Sequence, residues 1–120
     1  MTSNDTILGV VLQHDEPDWA PILDLLGSEL VDWFMWMHEA ALDGGGRVHA
    51  YKHTATRRYL HITGDGRAFD YVGYCTYAPI RLSRAIDLAF EGWGEQRPDP
   101  ADVAMLEAAL ERALERPDPG

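Results

Sequence analysis

The sequence predicts an α+β fold, an antiparallel meander sheet of three to five strands with helices packed on one face. Three observations predict it. Between Arg47 and Tyr74, apolar and polar residues alternate in three short runs separated by turn residues, the period of two that half-buried strands require. An Asp65-Gly66 pair separates two of these runs, a strong local signal for a tight hairpin. After Asp99 and Pro100, apolar residues recur at helical spacing. A chain of 120 residues is the size of one domain, assigned to 1–116, with 117–120 as a short disordered tail.

The elements follow in order. Thr6 to Leu12 is a β-branched and apolar run, read as a buried strand and broken by Asp15, Glu16 and Pro17. Asp18 is suited to cap a helix in which Trp19, Ile22, Leu23 and Leu26 share a face. Pro21 falls in its first turn, and Gly27 lies just past its end. Ser28 to Leu42 reads in two ways: a second helix, or a short helical end followed by a strand from Phe34 to Leu42. The Asp43-Gly44-Gly45-Gly46 turn, with a clear strand after it, favours the second. Arg47–His53, Arg57–Thr63 and Ala68–Tyr74 form the meander. Pro79 or Ser83 then starts a helix that runs through Phe90 and ends near Gly92 or Gly94. Gln96-Arg97-Pro98 is a linker. Asp99 caps the last helix, whose apolar stripe is Val103, Leu106, Leu110, Ala113 and Leu114, and Pro117 stops it. The order helix, meander, helix is similar to that of a double-stranded-RNA-binding domain in topology alone, with no motif residue to carry over.

Hairpin arithmetic then places the polar residues. A two-residue turn at Asp65-Gly66 pairs His61 with Asp70, and a three-residue loop Thr54-Ala55-Thr56 pairs His49 with His61. Val48, Ala50, Leu60, Ile62, Phe69 and Tyr71 then face the core. The opposite face carries His49, His61 and Asp70 in one row, Tyr51, Tyr59 and Val72 in a second, and His53, Arg57 and Tyr74 in a third. Two imidazoles and a carboxylate suit a divalent metal, or a histidine base oriented by Asp70. The alternative is a solvated sheet face. No ligand spacing of a known metal motif is present, so no metal, cofactor or catalytic residue is assigned.

Charge separates the remaining classes. The chain has 20 acidic and 10 basic residues, a net charge of -10. Such a field disfavours nucleic acid, whose binding depends on cations that neutralise phosphate, and it favours a basic partner. Five of the basic residues, Arg47, Lys52, Arg57, Arg58 and Arg67, nevertheless lie in one window whose only acid is Asp65. With Tyr51, Tyr59 and Tyr74 they make a nucleic-acid-binding meander face the first alternative function. Trp33, Trp36 and Met37 belong to a segment that is apolar on both faces and are candidate interface residues, for a protein partner or a homodimer. The single Cys75 excludes an internal disulfide and is read as a buried structural thiol; His14 and His38 have no partner that marks them out. The densest apolar stretch, Leu30 to Met37, is broken by Asp32 and far below the roughly 20 residues of a membrane span, so no membrane is assigned and the cytoplasm is the expected location. The leading expectation is a small acidic non-enzymatic binding or regulatory protein that acts through protein contact. A small metal- or His/Asp-dependent enzyme is the second alternative.

Overall fold

The computed structural model describes residues 6–12 and 16–115. Residues 13–15 and 116–120, and with them His14, Asp15, Pro117 and the expected tail, lie outside the described residues. Six antiparallel strands form a closed barrel in chain order. They are β1 (Ile7–Leu12), β2 (Phe34–Leu42), β3 (Arg47–His53), β4 (Tyr59–Thr63), β5 (Ala68–Gly73) and β6 (Thr76–Ile80). Helices α1 (Ala20–Leu26) and α2 (Ser28–Val31) lie between β1 and β2. Helix α3 (Leu82–Ala89), a 3₁₀ turn at Trp93–Gln96 and helix α4 (Pro100–Glu115) follow β6.

The α+β class and the antiparallel sheet stand, but the open meander does not: the sheet closes on itself. Closure needs β6, which pairs Tyr77 with Ile7 and Thr76 with Leu8 of β1. Pro79 disguised this strand as the start of a helix. It lies beyond the two β6 residues that pair with β1, a place where a missing N–H disturbs no ladder on that side. Closure also ends the likeness in element order to the RNA-binding domain.

The ambiguous segment resolves into short α2 followed by β2, and a bulge explains why it was hard to read. Phe34 and Trp36 lie opposite His53 and Tyr51, whereas His38 and Ala40 lie opposite Ala50 and Val48, with Met37 as the extra residue between. The bulge switches the face on which even-numbered residues lie. Phe34 and Trp36 therefore pack under the helices, and Ala40 and Leu42 pack inside the barrel.

Two cores result. In the larger one, Tyr51, Leu60, Ile62 and Ala68 on the outside of the barrel meet Ile22, Leu25 and Leu26 of α1, Leu30 of α2, Leu82, Ala85 and Ile86 of α3, and Ala109 and Ala113 of α4. Each fully buried aliphatic side chain here, such as Ile86, contributes about 1.5–3 kcal/mol. The smaller core fills the barrel with Ile7, Ala40, Leu42, Val48, Phe69 and Tyr77. The helix ends are nearly as expected. Trp19 occupies the cap position of α1, and the Asp18 carboxylate accepts the Ala20 N–H at 3.1 Å. Asp99 accepts the Ala101 N–H at 2.9 Å. Of the expected stripe on α4, Ala113 is buried, but Leu114 is 67% exposed.

Both meander loops are one residue longer than expected. The His53 N–H donates to the Arg58 carbonyl, which makes the β3–β4 loop four residues, Thr54 to Arg57, with Arg57 in the left-handed region at φ 66. The Thr63 N–H donates to the Arg67 carbonyl, which makes the β4–β5 loop three, Gly64 to Gly66, with Gly66 at φ 91. A one-residue slip moves every side chain of a strand to the other face. His49 thus lies opposite Ile62 rather than His61, and Phe69 rather than Asp70 lies opposite His61. Leu60 and Ile62 do face the helices, but beside His49 and Tyr51, while His61 turns into the barrel.

Candidate functional site

One transverse row of the barrel interior runs His38, Ala50, His61, Phe69 across β2 to β5. The small Ala50 leaves room between the two imidazoles. On β1, Gly9 is small for a similar reason, since a Cβ there would lie 2.6 Å from Cε1 of Tyr77. Strands β4 and β5 pair only through His61–Phe69 and Ile62–Ala68. Beyond His61 they part, and a cavity of about 620 Å³ opens there. Its walls are Tyr59 and His61 of β4, Asp70 and Tyr71 of β5, and Tyr77 with Cys75 below them; Val11 and His38 come from the far side and Leu88 from α3. Arg57 and Arg58 stand at its rim.

The cavity wall is a ring stack. The His61 imidazole lies nearly parallel to two phenol rings, 5.6 Å from Tyr59 at an interplanar angle of 10° and 6.1 Å from Tyr71 at 29°. Tyr77 stands edge-on to His61 at 5.7 Å and to Tyr71 at 5.2 Å. His61 is only 7% exposed, and burial first, then the nearby His38, push its pKa down to about 4. It is neutral at pH 7, with one nitrogen a donor and the other an acceptor. Among the described residues no hydrogen bond reaches its ring. Burial also lowers the pKa of His38.

The loops around the mouth are held in left-handed backbone. Tyr74 (φ 54) and Cys75 (φ 61) are the two central residues of the β5–β6 hairpin, a turn usually made by Asn-Gly. The Tyr71 hydroxyl accepts the Cys75 N–H at 3.0 Å. Cys75 is exposed, so the expectation of a buried thiol was wrong: the hairpin tip leaves it nothing to pack under. The β3–β4 loop is anchored from below. His53 Nδ1 accepts the N–H groups of Ala55 and Thr56, each at 3.1 Å, and the Thr56 hydroxyl donates to the Ala89 carbonyl of α3 at 2.7 Å. His53 is fully buried among Trp33, Phe34, Phe90 and Trp93, and burial lowers its pKa to about 4.

Charges sort themselves around this opening. Arg47 pairs with Glu39 at 3.3 Å, Arg58 with Glu91 at 2.9 Å and Arg67 with Asp65 at 3.2 Å. Of the five meander cations, Lys52 and Arg57 have no ion pair among the described residues. Arg57 lines the cavity, and Lys52 Nζ lies 5.8 Å above the ring of Tyr59.

The cavity brings together four of the residues singled out from sequence: Arg57, Tyr59, His61 and Asp70. It does not include His49, Tyr51 or Tyr74. His49 and Tyr51 are buried under the helices with their rings stacked at 6.4 Å, and the Tyr51 hydroxyl donates to the Asp18 carbonyl at 2.6 Å. Burial pushes the Tyr51 pKa up. Tyr74 is 96% exposed at its hairpin tip. The expected row of His49, His61 and Asp70 is therefore split between faces, and no cluster of three metal-ligating side chains exists among the described residues. The three phenols of the expected meander face likewise lie on different surfaces. Of the interface candidates, Trp33 stacks on His53 at 5.6 Å and Trp36 packs half-buried on the larger core, which leaves Met37 at the surface. Sequence reasoning missed His38, Tyr71 and Tyr77, which meet only because the sheet closes. No helix among the described residues is long and apolar enough to cross a membrane. No family model, curated protein or solved structure matches the chain.

Proposed function

We propose that this is a binding protein that takes a compact, largely aromatic small molecule into the mouth of its barrel. The observation that carries the proposal is a nine-tenths buried imidazole with no hydrogen-bond partner in the wall of a 620 Å³ cavity. Ligand pockets span about 300–1,000 Å³ and combine apolar walls with a few placed polar groups. Here the walls are phenol rings and aliphatic side chains, and the polar groups among them are His38, Arg57, Arg58, His61 and Asp70. A ligand atom at His61 would supply the hydrogen bond that this ring lacks within the protein. The test is titration of the isotope-labelled protein with 2-naphthol, read by amide chemical shifts. Saturable shifts clustered on Tyr59, His61, Tyr71 and Tyr77 support the proposal. No saturable shift up to about 1 mM, or shifts clustered on the helices, overturns it.

Contact with a protein partner is a second function, favoured by a separate observation. The helices pack over β4 and β5, while Leu8 and Val10 on the outside of β1 are 56% and 68% exposed. With a net charge of -10, this surface suits a basic chain. It predicts a co-purifying basic protein that is lost in Val10→Lys and retained in Tyr59→Ala.

A further inference from the structure

We infer that the ligand of the barrel mouth is a flat aromatic monoanion, an aromatic carboxylate, with its ring against Tyr59 and Tyr71 and its carboxylate on Arg57. This rests on the cavity proposed above and adds the charge and shape of what enters it.

The first argument is charge balance. In a chain of net charge -10, a cation is easily neutralised, and Arg47, Arg58 and Arg67 each are. Of the two meander cations without an ion pair among the described residues, Arg57 lines the cavity and Lys52 lies over the ring of Tyr59. A guanidinium presents paired N–H donors that match the two oxygens of a carboxylate.

The second argument is how Arg57 is held. Its φ of 66 is unfavourable for a side-chain-bearing residue. Its N–H nevertheless donates to the His53 carbonyl at 2.9 Å, and two neighbouring N–H groups are tied to the His53 ring. Backbone strain that the surroundings over-determine tends to collect where a binding group is presented. Glycine would make this turn without strain, and the turn instead carries a cation.

The third argument is shape. Tyr59 and Tyr71 are 39% and 45% exposed, large phenol surfaces left open next to a buried imidazole. Flat rings pack on such surfaces in offset or edge-on contact. The His61 N–H suits a carboxylate or carbonyl oxygen. Two features argue for a single negative charge. Arg58 is already paired with Glu91, and Asp70 lines the same cavity, so a phosphate dianion would meet one guanidinium without an ion pair and a carboxylate in the wall.

The experiment compares three probes of similar shape by calorimetry: naphthalene-2-carboxylate, its neutral carboxamide, and 2-naphthylmethylammonium. The wild-type protein should bind the carboxylate about tenfold more tightly than the amide, as one charge-assisted contact implies. Added salt should narrow that gap, and Arg57→Gly should close it. Glycine accepts the left-handed backbone, so Arg57→Gly should unfold at no lower a temperature than the wild type, and a lost gap then reports the guanidinium rather than a damaged fold. Equal binding of carboxylate and amide, a gap that survives Arg57→Gly, or preference for the ammonium overturns the inference while the cavity proposal stands. Failure of all three probes to bind saturably overturns the cavity proposal, and the inference with it.

Discussion

Two buried imidazoles, one on each side of the same sheet, divide the molecule into a part that holds it together and a part that is left open. His53 and His61 are both buried, and burial, joined at His61 by the nearby His38, pushes each to a pKa of about 4. Their hydrogen bonding differs. His53 accepts two backbone N–H groups at Nδ1, while its Nε2 is buried without a hydrogen-bond partner among the described residues, enclosed by four aromatic rings. His61 has two phenols stacked near it, no hydrogen bond among the described residues, and a cavity beside it. Neither burial nor a depressed pKa separates a structural histidine from a binding one. Both rings keep a nitrogen without a hydrogen bond, and what separates them is the open space beside His61.

Acid and three substitutions test this division of roles between the two imidazoles. Acid should act on both imidazoles alike. Each has a folded pKa below its unfolded value near 6.5, so between about 6.5 and 4 the unfolded chain binds more protons. Stability should therefore be intact above pH 6.5 and fall as pH drops toward 4, by about 3 kcal/mol for each imidazole. Denaturant unfolding across that range checks it; a flat profile would remove the shared burial on which the comparison stands. His53→Ala should cost about 3 kcal/mol at pH 7, through the cavity it leaves and two N–H groups left without an acceptor. Gly9→Ala should cost about 1–3 kcal/mol, because the new methyl must displace the Tyr77 ring, and it should weaken 2-naphthol binding as well. His61→Phe should change stability by less than about 1 kcal/mol, since no hydrogen bond is lost, yet it should flatten the acid profile by one proton and weaken naphthalene-2-carboxylate. A loss as large as that of His53→Ala would make His61 a structural residue.

How much of this was legible depended on local signals. Alternation located β3, β4 and β5, and Asp99-Pro100 located α4, because these patterns lie within a few neighbouring residues. Register was not legible, because it turns on loop length. Loop length turns on which residue takes the left-handed backbone, and Arg57 carries no signal for that role. Tyr74-Cys75 hides its hairpin for the same reason. The bulge at Met37 and the proline in β6 hid, respectively, a change of face and a whole strand. Four candidate residues still reached the cavity because Arg57, Tyr59 and His61 lie close together on or beside β4 and Asp70 lies across from them. His49 and Tyr51 did not, because a one-residue slip carried them to the other side.

The two shortest seams of the cylinder have a consequence for how a guest enters it. The β5–β6 ribbon joins β4 through two residue pairs on one side and β1 through two on the other. It is thus a stave attached at narrow joints, next to the opening that His61 faces. Amide protons along Tyr71 to Tyr77 should exchange with solvent sooner than those of β3, which is laddered along most of its length on both sides. A bound guest that bridges β4 to this stave would slow that exchange, and the rim would tighten like a hoop drawn around a cask.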